Sequence, residues 1–539
     1  MTNTNQNLNQ TSNQSHNHKI LSELTPNKLW SFFAELSNIP RPSEQEQGVR
    51  DWLAKFATDR NLNYKQDKIG NFFIYKPAQN SSSTKTILLQ QHMDMVCEKD
   101  PEINLDFSTD PIVLRQDGDF IYATGTTLGA DNGIGLVASL SILDDQNISH
   151  PNIEAVFTMN EETGMDGIMY LDKSFISADY VLNLDTEEEG SVYVSSAGTR
   201  DVEIILNPTK INFTENPKKD DQPKNALQIQ ISGLRGGHSG VNIHENRLNS
   251  NKILGVLLQE IQFQILLVDI TGGSKRNAIP RYSQAVIVLD DLADDLEEQS
   301  KESKKSLEDI QVKLQTLSNK IISNYQEIEP EINITITLTT TQYCFDKKST
   351  LQILNILNNT HSGVYQVSSV VPDLVQTSNN LGVIENNNGV ITIVNMARSS
   401  DDFELDLLVK QLLSIVQTAY AVQFGDFDKA KTELLPIFSY SKNDLKVILS
   451  ATTAGWKTQV HNPLLDIFQI VHTKVTGQKA EVKAVHAGLE CGFLKDYLPN
   501  SSVISFGPQI DDAHSPKEHV KISSVQEFYD ILVELVAVL

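Results

Sequence analysis

A histidine and an aspartate two residues apart, His92 and Asp94 in QQHMDMVCEKD, stand where an apolar run, TKTILLQ, stops. An imidazole followed at that spacing by a carboxylate suits a metal ligand and the partner that orients it. A surface loop holding one residue of each kind would look the same. Four further acids and one further histidine occupy comparable places. IEAVFTMN runs into Glu161 and Glu162, VLNL into Asp185, and SVISFGPQIDDAHSP carries His514 in the loop beyond its apolar run. Asp131 lies among the glycines of LGADNGIG, where backbone can approach a ligand closely at a helix start. Taken singly, Asp131 reads as a helix N-cap, the Glu161–Glu162 pair as solvated, and Asp185 as part of an exposed acidic loop. Taken together, His92, Asp131, Glu162, Asp185 and His514 supply two imidazoles and three carboxylates, a donor set for Zn²⁺, Mn²⁺ or Co²⁺ that needs no thiolate. Five donors exceed the three typical of one catalytic zinc. They suit two ions roughly 3.5–4 Å apart that share a carboxylate.

Such residues need elements to bring them together. TPNKLWSFFAELSNIPRPSEQEQGVRDWLAKFA predicts two helices broken at Pro40 and Pro42, and NFFIYKP and TKTILLQ predict strands. GADNGIGLVASLSILDD predicts a loop entering a helix, with Ile134, Val137, Ala138 and Ile142 at helical spacing. Strands alternating with helices imply an α/β domain with a largely parallel sheet, in which sites collect beyond the carboxyl ends of the strands. The middle of the chain differs. ALQIQISGL, AVIVLDD and EINITITLTTTQ alternate as half-exposed strands around the helical NSNKILGVLLQEIQFQ, an α+β pattern over about residues 205–401. The α/β pattern returns from 402 to 539, ending in SSVQEFYDILVELVAVL, whose serines offer a capping-box start. The simplest organisation is a catalytic domain of residues 21–204 and 402–539 interrupted by an inserted domain of residues 205–401. The Asn/Gln-rich stretch 1–20 is expected to be a disordered tail. NPTKINFTENPKKDDQPKN and DDLEEQSKESKKSLED read as hydrophilic surface excursions.

Composition narrows the classes. At 539 residues the chain is long enough for two or more domains, and 40% hydrophobic content supports a large core. A net charge of −25 argues against a nucleic-acid partner and against an anionic membrane surface. No apolar run reaches the roughly 18 residues of a membrane span, and the N-terminus lacks the apolar segment of a signal peptide. Cys97, Cys344 and Cys491 are too few for a disulfide framework and point to a reducing compartment. A cytoplasmic protein is expected.

The motifs HMDMVCEK, GTTLGADNGIG, NEETGMDG, NLDTEEEG, GLRGGHSG, KRNAIPR, HAGLECG and AHSPKE occur in this order. In that series the chain resembles the aminoacyl-histidine dipeptidases, bacterial cytosolic Xaa-His dipeptidases of the di-zinc exopeptidase family that also includes carboxypeptidase G and dipeptidase V. The resemblance runs from about residue 25 to the C-terminus. It implies an α/β catalytic domain, an inserted α+β lid through which subunits dimerise, and hydrolysis of short unblocked peptides. By the same resemblance, His92 and Asp185 hold one ion, Glu162 and His514 the other, and Asp131 bridges them. Asp94 then orients His92, and Glu161 is the general base. His238 of GGHSG is offered to the scissile carbonyl, often from the partner subunit. Asn277 and Arg398 hold the substrate, the arginine by its C-terminal carboxylate. His486 and Glu490 are expected on the catalytic domain, lining the substrate pocket or capping a helix. Cys97 and Cys491 are expected to be packing residues.

The chain departs from the family pattern at Asn160, where an Asp often precedes the paired glutamates, at Leu184 before Asp185, and at SSAGTRD. These departures bear on pocket shape and substrate choice. The rival activities are those of a tripeptidase, deacetylase or carboxypeptidase of the same family. The rival of another class is a non-catalytic metal- or peptide-binding protein, which the presence of Glu161 and Asp94 opposes.

Overall fold

The computed structural model describes residues 15–213, 223–290, 306–369, 374–422, 438–442, 444–450, 452–459 and 461–539. They divide into two compact units, one of residues 1–196, 456–484 and 488–539, the other of residues 197–455 and 485–487.

The first unit is built on an eight-stranded sheet in the order 63–66, 72–76, 152–158, 86–92, 180–183, 502–505, 191–196, 481–485. Its four middle strands, Asn152–Thr158, Thr86–His92, Tyr180–Asn183 and Ser502–Ser505, run parallel. Antiparallel partners flank them at residues 72–76 and 191–196. The Thr86–His92 strand is buried along almost all its length because it is covered on both faces. Ile87 and Leu89 enter a core shared with the helices Asn27–Leu36, Ala130–Asp144, Pro463–Thr476 and Ile522–Val538, while Leu88 is buried on the other face. The two helices expected around Pro40 and Pro42 are Asn27–Leu36 and Gln47–Asp59. The terminal helix starts one residue before the expected serines. Its N-cap is Lys521, and Ser523 donates its N–H (3.1 Å) to Asp119.

The second unit carries a ten-stranded sheet whose pairings are antiparallel, with Val375–Asn387 and Val390–Ser399 near its middle. Alternate residues of these strands face the helices Ser250–Gln259, Leu307–Tyr325, Lys347–Asn359 and Asp402–Tyr420. That is the α+β character read from the alternating strands. Among the described residues no helix is long and apolar enough to cross a membrane.

Three boundaries differ from the sequence reading, the first being the start of the second unit at residue 197 rather than 205. The helix Asp402–Tyr420 belongs to the second unit, because Leu405, Leu408, Leu412 and Val416 pack into its core and the strand Leu445–Leu449 pairs with Gly198–Leu206. The return to the first unit therefore comes at residue 456 rather than 402. An apolar stripe shows that a helix must pack but not on which sheet. The expected tail, 1–20, is in part helical. Residues 1–14 lie outside the described residues, as do 214–222 of the first hydrophilic excursion and 294–305 of the second, but residues 15–21 form a helix. Asn17 ties it down. Its amide donates to Ile112 O (2.8 Å) and Asn38 Oδ1 (3.1 Å), and its Oδ1 accepts from Leu114 N (3.0 Å). Asn17→Ala strands buried backbone groups and should cost about 1–3 kcal/mol, read as a lower unfolding midpoint. A change within about 0.5 kcal/mol, as for an ordinary surface position, would mean that the 15–21 helix does not contribute to the core.

Candidate active site

In the first unit the parallel strands deliver their chemistry at their carboxyl ends. His92 closes Thr86–His92, Glu161 and Glu162 follow Asn152–Thr158, Asp185 follows Tyr180–Asn183, and His514 lies in the loop after Ser502–Ser505. Asp131 enters from the start of the helix Ala130–Asp144. That start is held from two sides. The buried Glu518 carboxylate accepts from the backbone N–H groups of Leu128 (2.7 Å), Gly129 (3.1 Å), Ala130 (2.8 Å) and Asp131 (3.4 Å). The buried Arg41 guanidinium donates to Gly129 O, and also to Met93 O (3.0 Å) and Asp94 O (2.8 Å). Gly129 has φ +71°, and a Cβ there would strike Arg41 and Met95. Burial lowers the Arg41 pKa, opposed by the charges of Glu518 and Asp94.

His92 is almost wholly buried. Its Nδ1 faces Asp94, 3.1 Å from the backbone oxygen and 3.4 Å from Oδ1. Its Nε2 faces Asp131 Oδ1 (3.0 Å) and Asp185 Oδ1 (3.4 Å). With Nδ1–H donated to Asp94, the Nε2 lone pair is directed toward the acids, the orientation a ligand imidazole needs. Asp94 also accepts from Ser43 Oγ (2.7 Å) and from the N–H groups of Glu161 (3.1 Å) and Glu162 (3.2 Å). One carboxylate thus fixes both the imidazole and the turn that carries the paired glutamates. Asn160 enters that turn at φ +53°, a conformation asparagine tolerates, and its amide bonds Asp166 (2.7 Å).

Asp131 divides its two oxygens between two imidazoles, Oδ1 to His92 and Oδ2 to His514 Nε2 (3.1 Å). His514 also meets Glu162 Oε2 at 3.1 Å. Three overlapping sets bring their donor atoms within 4.8 Å of one another: His92, Asp131 and Asp185; His92, Glu161 and Glu162; and Asp131, Glu187 and His514. Burial works to raise the Asp131 pKa, but hydrogen bonds from His514 and His92 hold it well below the usual range. Burial lifts Asp185 to about 6 and Glu187 to about 9, and carries Glu161 well above an ordinary glutamate, with the neighbouring acids adding to it. Burial opposes charge on His92, yet Asp185 and the hydrogen bonds raise its pKa well above normal. Hydrogen bonds to Asp131 and Glu162 push His514 up to about 11. The acids therefore favour positive charge at both imidazoles, and the buried Glu162 Oε1 has no hydrogen-bond partner among the described residues. A field that demands positive charge, with nitrogen and oxygen donors converging, fits divalent cations.

The structure brings His92, Asp94, Asp131, Glu161, Glu162, Asp185 and His514 into one cluster. Four participants were not picked out from the sequence. Glu187 stands two residues after Asp185, the same offset as Asp94 from His92, which was the available signal. Glu518 ends AHSPKE and was left without a role. Arg41 and Ser43 gave no signal beyond the adjoining prolines.

The other candidates divide between the units. His238 belongs to the second, in a two-residue strand paired with Ala278–Ile279. Its Nδ1 accepts from Gly240 N (3.3 Å) and Val241 N (3.2 Å), which puts the proton on Nε2. Burial, then the Arg398 charge, holds its pKa down to about 4, so it is a neutral donor near pH 7. Arg398 is 4% exposed, donates to Ser239 Oγ (3.4 Å) and Met396 Sδ (3.1 Å), and stays cationic although burial brings it down to about 10. Asn277 is exposed, and its carbonyl accepts from Ser239 N (2.8 Å).

For His486 the expected place on the catalytic domain needs correction, whereas Glu490 keeps it. His486 belongs to the second unit, buried with Nε2 2.7 Å from Ser378 Oγ and lowered to about 3 by burial and Arg398. Glu490 belongs to the first unit, fully buried on Thr158 Oγ (2.8 Å) and Gln90, and lifted to about 8 by burial. Four residues of sequence separate two different cores, which proximity in a motif cannot reveal. Burial raises the thiols of Cys97, to about 11, and Cys491, in keeping with packing roles.

The profile of peptidase family M20/M25/M40 matches residues 88–538. The cytosol non-specific dipeptidase of Escherichia coli (strain K12) is 33% identical over 531 residues, covering 96% of this chain and 98% of that one. The crystal structure of aminoacylhistidine dipeptidase from Vibrio alginolyticus superposes with a TM-score of 0.81 at 32% identity, covering 96% of this chain and 98% of that one. Aminopeptidase PepT from Bacillus cereus ATCC 10987 shares the fold at a TM-score of 0.51 and 15% identity, covering 95% and 98%.

Glu518→Ala tests the support of the Asp131 turn. It leaves four backbone N–H groups without an acceptor and removes one of the carboxylate charges that oppose Arg41. The expected loss is about 1–3 kcal/mol, the size for buried donors left unsatisfied, together with weaker metal uptake. Wild-type stability and metal content would exclude this role.

Proposed function

The chain belongs to peptidase family M20/M25/M40 and is a metallopeptidase, and on that footing we propose that it is a two-metal dipeptidase of the cytoplasm that cleaves short unblocked peptides, Xaa-His dipeptides among them. The observation that carries the reading is Asp131, with one carboxylate oxygen toward His92 and the other toward His514. The names of the Escherichia coli and Vibrio alginolyticus relatives support the substrate class. His92 and Asp185 would hold one ion, Glu162 and His514 the other, and Asp131 would serve both. Zinc fits this donor set, as do manganese and cobalt. When bound, such ions supply Lewis acidity toward a carbonyl and acidify water.

The remaining steps belong to the chain. Glu161, held next to Glu162 by Asp94, takes the proton of the attacking water and returns it to the leaving amine. His238, with its proton on Nε2, donates to the developing oxyanion. Arg398 grips the substrate's C-terminal carboxylate with its planar fork, and Asn277 assists in holding the peptide. A homodimer is the assembly that the family resemblance favours.

Substrate and metal range are tested by supplying Zn²⁺, Mn²⁺ or Co²⁺ to metal-free protein and assaying unblocked di- and tripeptides and N-acyl amino acids. Dipeptides should be cleaved best, and hydrolysis confined to acyl amino acids would overturn the reading. Within the site, Glu161→Gln should retain both metals and lose roughly 10²–10⁴-fold in kcat, whereas Glu162→Gln should lose metal. Near-normal turnover by metal-loaded Glu161→Gln would remove the base assignment. Amidating the C-terminus of an Xaa-His substrate should lower kcat/KM about 10- to 150-fold, the range for a lost charged hydrogen bond of about 1.5–3 kcal/mol. Arg398→Ala should cleave acid and amide alike. An amide cleaved as fast as the acid by the wild type would show that no carboxylate clamp operates.

A further inference from the structure

The second unit holds a cavity that the reaction above does not use. Strands Val390–Ser399 and Gly198–Leu206 are antiparallel neighbours, with Met396 opposite Asp201, Val394 opposite Glu203 and Arg398 opposite Thr199. Ile391, Ile393, Ala397, Val202 and Ile204 face the helix-packed core. By alternation Arg398, Met396, Val394, Asp201 and Glu203 share the other face. A cavity of about 700 Å³ lies on that face, lined by Asp201, Glu203, Arg276, Asn277, Val394 and Met396 among others. The Arg398 guanidinium touches one residue of that lining, 3.1 Å from Met396 Sδ.

Asp201 is 9% exposed. Its Oδ2 is paired with the exposed Arg276, but its buried Oδ1 has no hydrogen-bond partner among the described residues. A buried acceptor without a donor is costly and uncommon, and this one borders a space large enough for a side chain. Arg398 and Asp201 offer a cation and a carboxylate about one two-residue strand step, roughly 7 Å, apart. Glu203 and Glu385 add negative charge to the same cavity, set against the exposed Lys275 and Arg276 on its lining. The complementary ligand has a carboxylate at one end and an N–H donor at the end of a side chain. That is a C-terminal amino acid with a basic side chain.

We propose that this cavity receives the side chain of the substrate's C-terminal residue and that Asp201 selects side chains bearing an N–H donor, the imidazole of histidine or the ammonium of lysine. The proposal rests on the reading of Arg398 as the carboxylate clamp. It gives a physical source for a preference for Xaa-His: Arg398 fixes the carboxylate, and Asp201 Oδ1 accepts from the side chain of the same residue. It also extends that preference to Xaa-Lys. Arg276 then moderates the selection, because it occupies the second oxygen of the selecting carboxylate.

The test compares kcat/KM for Ala-Lys and Ala-norleucine, which differ in the terminal ammonium, using metal-loaded enzyme. The wild type should favour Ala-Lys by about tenfold or more, the size of a charge-assisted hydrogen bond, and Ala-His should also be preferred over Ala-norleucine. Asp201→Asn should bring the Lys/norleucine ratio close to one. Arg276→Met changes an exposed side chain, so it should fold whatever happens to Asp201→Asn, and it should raise the ratio by freeing the second oxygen. A wild-type ratio at or below one, or a ratio that neither variant moves, overturns the pocket. The clamp is read separately by amidating Ala-norleucine. Loss on amidation with an unmoved ratio removes the pocket and leaves the clamp, and no loss on amidation removes the clamp itself.

Discussion

Holding like charges together is the constraint on which the first unit's site depends. Two carboxylates about 4 Å apart repel by about 4 kcal/mol at an effective dielectric of about 20, and here Asp131, Glu161, Glu162, Asp185 and Glu187 converge around two imidazoles. The parallel sheet makes such convergence achievable. Neighbouring strands end side by side, so residues distant in sequence leave the sheet at one edge. The raised pKa values of His92 and His514 reflect the pull of that edge on positive charge. The second unit inverts the pattern, with a buried cation, Arg398, beside two imidazoles kept neutral, His238 and His486. One cluster gathers acids around imidazoles, and the other gathers imidazoles around a guanidinium.

Buried charges that carry no donor role keep the arrangement in place. Asp94 bonds the His92 imidazole and two backbone N–H groups of the glutamate turn, while Glu518 and Arg41 grip the N–H and C=O of the same residue, Gly129. Each buried ion costs several kcal/mol to desolvate, so these groups are better understood as positional devices than as net stabilisers. Gly135 serves the same packing. A Cβ there would collide with Leu184 O and with Asn132, and Asn132 in turn donates to Leu184 O at 3.1 Å. Leu184, unusual beside the family pattern, is a core residue on that seam.

Much of this was legible in the sequence because the site's signals are local. A short apolar run that ends in His or an acid marks a strand mouth, and glycines around Asp131 mark a close approach. Both read correctly without knowing strand order. The residues missed act at a distance. Glu518 reaches the Asp131 turn across almost 390 residues of chain, and Arg41 reaches Asp94 across 53. No spacing rule connects such pairs. The misplaced boundary at 402 and the separation of His486 from Glu490 have a common cause. Periodicity reports that a face is apolar, whereas the identity of its partner is a tertiary fact.

The strand order of the first unit also sets a timetable for the nascent chain. Ser502–Ser505 lies between Tyr180–Asn183 and Ser191–Ser196, so a central slot of that sheet is filled by residues that leave the ribosome more than 300 positions after its neighbours. His514 follows that strand. At the usual 5–20 residues per second, the intervening segment takes on the order of tens of seconds to emerge. During that interval the second unit can complete its own core up to the late residues 485–487, while the first has an open sheet and lacks one imidazole of its acid–imidazole cluster. A chain cut short anywhere before residue 502 therefore lacks both the closing strand and that imidazole, which couples the acid–imidazole cluster to the late part of translation.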